Sequence, residues 1–223
     1  MNYHRDEDYL KFEKTFRNIF QKRVNLISRF AGKGKVLEVG CATGVMLKLF
    51  REQGWQVLGV EPSGSAKVAQ KKGLKVWRHK FEGARLPNGY FDLAVLNHTL
   101  EHMDNPPWVL RKVNRLLKED GIVFIDVPNA GGLGAKLLGK HWPYRLPREH
   151  KWQFTRQSLA SLLTDAGFRV LHWQSRSGIF EYANPLLELK RKCFLFDILT
   201  SPYALIASIL RRGDSMSFIA RKK

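Results

Sequence analysis

A chain of 223 residues with 44% hydrophobic content is long enough to bury one sizeable core and too short for several large domains. Thirty-eight Lys and Arg against twenty Asp and Glu give a net charge of +18, which fits an anionic neighbour (nucleic acid, an acidic membrane surface, a phosphorylated substrate) or simply a solvated basic surface. The two cysteines, Cys41 and Cys193, form no C-x-x-C pair and exclude a disulfide-stapled scaffold. The opening MNYHRDEDYLKFEK has no apolar h-region, so a cytoplasmic location is expected.

In chain order, residues 8–30 place Leu10, Phe12, Phe16, Ile19, Phe20, Val24, Leu26, Ile27 and Phe30 at helical spacing, an amphipathic helix with a basic outer face. Ala31-Gly32-Lys33-Gly34 breaks it. KVLEV (35–39) reads as a strand and VMLKLFREQG as a helix; WQVLGVE (55–61) is a second strand, with AKVAQKKG helical after it. LKVWRH (74–79), FDLAVLN (91–97) and GIVFIDVPN (121–129) are further strands, the last two separated by the helical PPWVLRKVNRLLKEDG. Thr155 is a plausible N-cap for RQSLASLLTDAG, which Gly167 ends. FRVLHWQS (168–175) and DSMSFIARK (214–222) complete seven strands. Strand–helix alternation at this spacing predicts an α/β doubly wound, mostly parallel sheet. The expected division is an N-terminal helical segment 1–34, a core 35–178, an apolar and basic insert 179–213, and a last strand 214–223. Within the insert, CFLFDILTSPYALIASIL carries Asp197 and Pro202 and makes a poor membrane-spanning helix.

One short motif invites a different reading. His98, Glu101 and His102 fit H-x-x-E-H, a zinc-peptidase signature that needs its two histidines on one helical face. Here the motif follows a buried-type strand, and Pro106 and Pro107 start a helix only after it.

The first strand and its turn read Leu37-Glu38-Val39-Gly40-Cys41-Ala42-Thr43-Gly44: an acid at the strand end, then G-x-A-x-G, then a helix. Small residues permit a sharp turn and close approach to a ligand, and the helix N-terminus favours an anion. Glu61 stands at the end of the second strand, where a carboxylate can accept hydrogen bonds from two ribose hydroxyls.

With VLEVGCATG, VLGVEPS, LPNGYFDLAVLNHTLEHMDNP, LLKEDGIVFIDVPN and GKHWPYRLPREHKWQFTRQSLASLLTDAGFRV, the sequence resembles the class I S-adenosylmethionine-dependent methyltransferases over nearly its whole length. The tail is similar to a broad quinone and small-molecule O-methyltransferase-like subgroup. The resemblance implies a Rossmann-like sheet with an antiparallel last strand, and S-adenosyl-L-methionine as cofactor. It implies that Gly40, Ala42 and Gly44 wrap the methionine part, that Glu38 sits near its ammonium and Glu61 on the ribose, that Phe81 and Glu82 flank the adenine, and that Asn97 faces the sulfonium. The leucine-glutamate-histidine trio then lies at the mouth of the active site, with Glu101 a pocket-wall or helix-entry residue.

A hydroxyl acceptor needs a base, for which a histidine near neutral pKa is suited. His98, His102 and His150 are the candidates, His150 being equally readable as a structural histidine capping the helix near Thr155. His141, Trp142 and Tyr144 either wall the acceptor pocket or only pack. No metal is expected; a divalent ion on Glu101, His102 and Glu149 or His150 is the alternative. The insert should begin beside the site and act as a lid, a homodimer contact, or a peripheral contact with the inner face of the membrane, its basic borders being Lys190-Arg191-Lys192 and Arg211-Arg212. The expected activity is O-methylation of a small or lipid-linked acceptor. RNA methylation, a non-catalytic cofactor-binding partner protein and a nicotinamide oxidoreductase are the alternatives.

Overall fold

The computed structural model describes residues 11–185 and 199–223. Residues 8–10 of the expected first helix, and 186–198 of the insert with Cys193 and its basic run, lie outside the described residues. Seven strands form one sheet: β1 Lys35–Val39, β2 Gln56–Val60, β3 Val76–Trp77, β4 Phe91–Asn97, β5 Leu117–Pro128, β6 Phe168–Arg176 and β7 Ser215–Lys222. The helices are α1 Glu13–Ile27, α2 Val45–Glu52, α3 Ser65–Lys71, α4 Pro106–Leu116, α5 Leu133–Leu138, α6 Arg156–Asp165 and α7 Ser201–Ile209.

The sheet order is β3-β2-β1-β4-β5-β7-β6. The first five strands pair in parallel, and β7 runs antiparallel between β5 and β6. The chain winds outward from β1 to β3, then returns to place β4 on the other side of β1. That reversal opens a crevice at the carboxyl ends of β1 and β4, where ligands of such sheets sit.

Alternation along the central strands feeds two cores. Val36, Leu93, Val95, Phe124 and Ile219 face Phe20, Val24 and Ile27 of α1 and Met46, Leu49 and Phe50 of α2. Leu37, Val39, Ala94, Leu96, Val123 and Ile125 face Val109, Leu110 and Val113 of α4 and Leu159 and Leu163 of α6. Each large apolar side chain removed from water contributes about 1.5–3 kcal/mol.

The element ends follow from local chemistry. Asn105 caps α4 by accepting from the Trp108 N–H at 3.0 Å, with prolines in the first turn where the missing N–H costs nothing. Thr155 and Ser158 form a reciprocal capping box on α6, and Gly167 (φ +84°) ends it. Two boundaries differ from the sequence pattern. The third strand shrinks to two residues, because β2 offers it only Gly59 and Val60 as partners. The stretch LKED expected to be helical instead opens β5: Leu117 pairs with Phe91, and a shift in register follows before Ile122 meets Leu93. Asp120 sits there in the left-handed region (φ +62°).

Candidate active site

A cleft of about 570 Å³ opens over the carboxyl ends of β1, β2 and β4. Three segments converge on it: the turn after β1, the end of β2, and the residues following β4. The loop 78–82 and the segment 149–151 close its sides.

Gly40 and Ala42 line the cleft, both with positive φ (+72° and +43°). A Cβ on Gly40 would stand 2.6 Å from Thr99 Oγ1, whose hydroxyl donates to the Val39 carbonyl at 3.0 Å. Glycine therefore lets the β1 turn close onto the β4 end. Gly44 (φ +76°) does not line the cleft: its open side is filled by Leu74 and Ala69, so its bareness serves the packing of α3 beneath the turn. Glu61 lines the cleft and ties its floor together, Oε2 accepting from the Ala42 N–H at 3.0 Å and Oε1 from the Ser63 N–H at 2.8 Å. Lone pairs remain on both oxygens for ligand hydroxyls.

Glu38 lies deeper, in a recess shared with Gly40, Ala42, Thr43 and Asn97. It is buried, and Oε2 has no hydrogen-bond partner. Burial, and then the charge of Glu61, hold its carboxyl well above the usual range. A buried acceptor left unsatisfied is costly, and a ligand ammonium would satisfy it. An amino-acid–nucleoside ligand, with its ammonium at Glu38 and its ribose at Glu61, thus fits the residues present.

Phe81 and Glu82 line the cleft wall, and Lys112 of α4 fixes that wall. The Lys112 ammonium is buried and donates to the carbonyls of Phe81 (2.6 Å), Glu82 (3.1 Å) and Ala84 (2.8 Å). Asn97 lines the cleft at the end of β4, its Oδ1 accepting from Arg23 Nη1 at 2.7 Å.

The three candidate histidines separate. His98 also lines the cleft, but its ring is engaged by carboxylates, Nε2 at 3.2 Å from Asp126 Oδ1 and Nδ1 at 3.3 Å from Glu101 Oε1. Burial alone would push its pKa down, but close contact with the Asp126 and Glu101 carboxylates, and their charges, outweigh that and raise it to about 9. Of the three histidines His98 is thus the least suited to take up a proton near neutral pH. His102 and His150 stand together on the cleft wall, ring centroids 4.8 Å apart. His102 Nδ1 lies 2.9 Å from the Glu149 carbonyl, and His150 Nδ1 2.8 Å from that of Tyr144. A carbonyl can only accept, so Nδ1 carries the proton and the neutral ring keeps its lone pair on Nε2. Burial, above all, lowers the pKa of His150. The helix-cap role open to His150 belongs instead to Thr155 with Ser158.

The pocket-wall candidates lie elsewhere. Glu101 is 1% exposed beneath the cleft surface. His141 is exposed, and Trp142 is buried with Nε1 donating to Asp214 at 2.9 Å, away from the cleft lining. Tyr144 contributes its backbone carbonyl to His150 rather than its ring to the cleft.

Behind the cleft lies a charge cluster absent from the sequence expectations. Arg23 of α1 pairs with Asp126 of β5 at 3.0 Å and with Glu181, at the start of the insert, at 3.2 Å. Asp126 also accepts from Ser215 Oγ (2.7 Å) and Ser217 Oγ. Although burial opposes it, Arg23 and His98 hold the Asp126 pKa down at about 2. Arg23 was findable: it falls between Phe20, Val24 and Ile27 on the apolar stripe of its helix. Asp126 interrupts an aliphatic run in a strand covered on both faces.

Residues 12–173 match a family model described as a methyltransferase domain. The chain belongs to this methyltransferase family. It is 31% identical over 122 residues to an uncharacterized protein of Methanocaldococcus jannaschii, covering 54% of this chain and 58% of that protein. It is 30% identical over 126 residues to a ubiquinone biosynthesis O-methyltransferase of Pseudomonas aeruginosa, covering 52% of this chain and 54% of that one. The match thus spans little more than half the length of these relatives. A solved SAM-dependent methyltransferase from Archaeoglobus fulgidus superposes with a TM-score of 0.67 at 21% identity, covering 96% of this chain and 99% of that one. Family and fold together make S-adenosylmethionine the cofactor, in accord with the unsatisfied Glu38 and the strand-end Glu61.

Proposed function

We propose that this methyltransferase-family chain transfers a methyl group to a hydroxyl oxygen of a small or lipid-linked acceptor. When bound, S-adenosylmethionine supplies an electrophilic methyl on a sulfonium with a good leaving group. The chain would hold it through Glu38, the turn Gly40–Ala42 and Glu61, with Phe81 and Glu82 at the adenine end and Asn97 toward the sulfonium. What remains for the protein is to orient the acceptor, exclude water and remove one proton. The observation that carries the reading is the pair His102 and His150, both lining the cleft and both locked with the proton on Nδ1. Such a cluster suits a hydroxyl, which must lose its proton; the P. aeruginosa relative's name is consistent with that chemistry.

A lipid-linked acceptor is supported by α7 and the residues after it, which expose Leu205, Ile206, Ile209 and Leu210 beside Arg211 and Arg212. Among the described residues, no helix is long and apolar enough to cross a membrane. Asp214 docks this helix on the body, accepting from Tyr203 (2.8 Å) and Ser177 (2.7 Å).

The test is methyl transfer from labelled cofactor to catechol-like phenols, a lipid extract and total RNA, with the product bond identified by mass spectrometry. A methyl ether on a phenol or lipid is expected. Exclusive labelling of RNA, suppressed steeply by salt, would replace the proposal with the nucleic-acid alternative suggested by the +18 charge.

A further inference from the structure

Glu101, His102 and His150 bring one donor atom each to within 4.8 Å of one another, the sole such cluster among the described residues. We propose that these three side chains bind a divalent transition-metal ion, which receives the acceptor hydroxyl at the cleft; the second half of this statement rests on the O-methyl-transfer reading.

Three independent observations converge on it. First, Glu101 is 1% exposed, and neither carboxylate oxygen has a hydrogen-bond partner. His98 at 3.3 Å from Oε1 makes an ion pair but is too poorly aligned for a hydrogen bond, and nothing satisfies Oε2. Buried carboxylates are normally saturated with donors, and a bound cation is the alternative way to satisfy one. Second, each imidazole has Nδ1 committed to a backbone carbonyl, of Glu149 and of Tyr144. That is how metal-ligating histidines are oriented, with the lone pair of the other nitrogen directed at the ion. Third, the backbone holding the two histidines together is stapled. The Trp152 N–H donates to the Glu101 carbonyl (3.1 Å), Trp152 Nε1 to the Met103 carbonyl (3.0 Å), and Lys151 pairs with Asp104.

Two imidazoles and one carboxylate form a ligand set suited to iron, manganese, cobalt or zinc, with open positions left over. Ligands about 2.1 Å from an ion stand about 3–4 Å apart, so the donors need to close by roughly 1 Å. His102 and His150 line the cleft, so the open positions face it. An acceptor with two adjacent oxygens, a catechol-like diol, would fill two of them. On coordination its hydroxyl loses its proton to bulk water. An oxygen lone pair then forms the new C–O bond, and the electron pair of the breaking S–C bond returns to sulfur as a thioether. This set also resolves the H-x-x-E-H spacing, because His98 is not a ligand: Asp126 and Glu101 hold it. The third ligand comes instead from His150, far along the chain.

The test begins with the full chain stripped by EDTA. Mn²⁺, Co²⁺ and Zn²⁺ are each titrated calorimetrically, and the visible spectrum of the Co²⁺ form is recorded. One ion per chain is expected, with affinity lowered about tenfold or more in Glu101→Gln and in His150→Ala. Both variants are first checked for unchanged S-adenosylhomocysteine binding, which shows that they fold and that the cofactor site is intact. If His150→Ala does not bind S-adenosylhomocysteine, Glu101→Gln alone decides. No stoichiometric ion in the wild type, or full affinity in Glu101→Gln, overturns the inference. So does undiminished methyl transfer by stripped protein that loses activity on His150→Ala, since His150 would then be a simple base and the O-methyl reading would stand. An ion bound with no ether formed from any hydroxyl sinks the O-methyl reading and leaves the site.

Discussion

Replacing Arg23 with Met is expected to lower the stability of the protein by about 3–5 kcal/mol at neutral pH, the range found when one partner of a buried ion pair is removed. The Arg23 side chain is 8% exposed, and Asp126 opposite it 2%. Methionine fills the channel along the helix stem but leaves Asp126 and Glu181 without their cation. A second estimate comes from Asp126 itself, whose pKa of about 2 compares with an ordinary 3.8. At 1.36 kcal/mol per unit this amounts to about 2 kcal/mol favouring the charged form, a gain shared among Arg23, His98 and Ser217. The sign follows from linkage: a depressed carboxyl stabilises the fold above its unfolded pKa, and that contribution disappears as the pH falls from about 4 through about 2. The gap between wild type and variant should therefore be widest near pH 7 and narrow in acid. Urea titrations at pH 7 and about pH 2 measure it, and a fall of about 6–20 °C in Tm should accompany it at neutral pH. Adding Asp126→Asn to the variant should recover part of the loss. A penalty below about 1 kcal/mol, or one indifferent to pH, would show that Asp126 and Glu181 do not depend on Arg23.

Other perturbations act on the cofactor half of the cleft. Glu61→Ala removes the carboxylate proposed to meet the ribose and the clamp on the Ala42 and Ser63 amides, so S-adenosylhomocysteine binding should weaken by about 1–3 kcal/mol by calorimetry; unchanged affinity would sink the ribose assignment. Burial keeps Glu38 protonated to higher pH in the free protein, and a ligand ammonium would lower its pKa again. Binding should therefore release a proton and tighten as the pH rises. Calorimetry in buffers of different ionisation enthalpy reads that proton directly, and zero release would mean that Glu38 does not meet the ammonium. Lys112→Met removes three donations to the wall carbonyls. Affinity for S-adenosylhomocysteine should fall several-fold, with faster amide exchange at 81–84, and a variant unchanged in both would uncouple α4 from the wall.

The parts of the fold legible in the sequence were those set by short-range rules. The β1 and β4 boundaries coincide with their apolar runs, because both strands are buried on two faces and punctuated by Gly and Asn. Pro106 and Pro107, Thr155 and Gly167 mark helix ends by local chemistry that acts over three or four residues. The β5 start was missed because LLKED has helical propensity, and only pairing with Phe91 makes Leu117 a strand residue. Gly40 and Glu61 both line the cleft, a position that follows from their places directly after strand ends. Gly44 belongs to the same turn, yet Leu74 and Ala69, distant in sequence, occupy the space beside it. Trp142 and Tyr144 show the same limit: residues in a loop carry no periodicity, and only Asp214, 72 positions on, decides where Trp142 goes.

The divergence of His98 from Glu101 and His102 has a backbone cause. His98 adopts φ +49°, an uncommon conformation for a residue with a side chain, directly after β4. Its N–H donates to the Asp126 carbonyl at 2.8 Å, continuing the pairing with β5 one residue past the strand. The left-handed turn sends the imidazole back toward Asp126 and Arg23, while the chain proceeds into the 3₁₀ turn Leu100–His102 that carries the other two residues. One short motif thus supplies two environments. At the inner edge of the cleft, His98 is held by carboxylates from β5 and the turn, next to the Arg23 pairs that join α1, β5 and the insert. Deeper along the cleft wall, burial lowers the pKa of His150 beside His102. Glu101 lies between the two groups, close enough to both that the ionic state of one sets the field at the other. A charge change behind the sheet, as in Asp126→Asn, should therefore shift the pH profile of methyl transfer without altering His102 or His150 themselves.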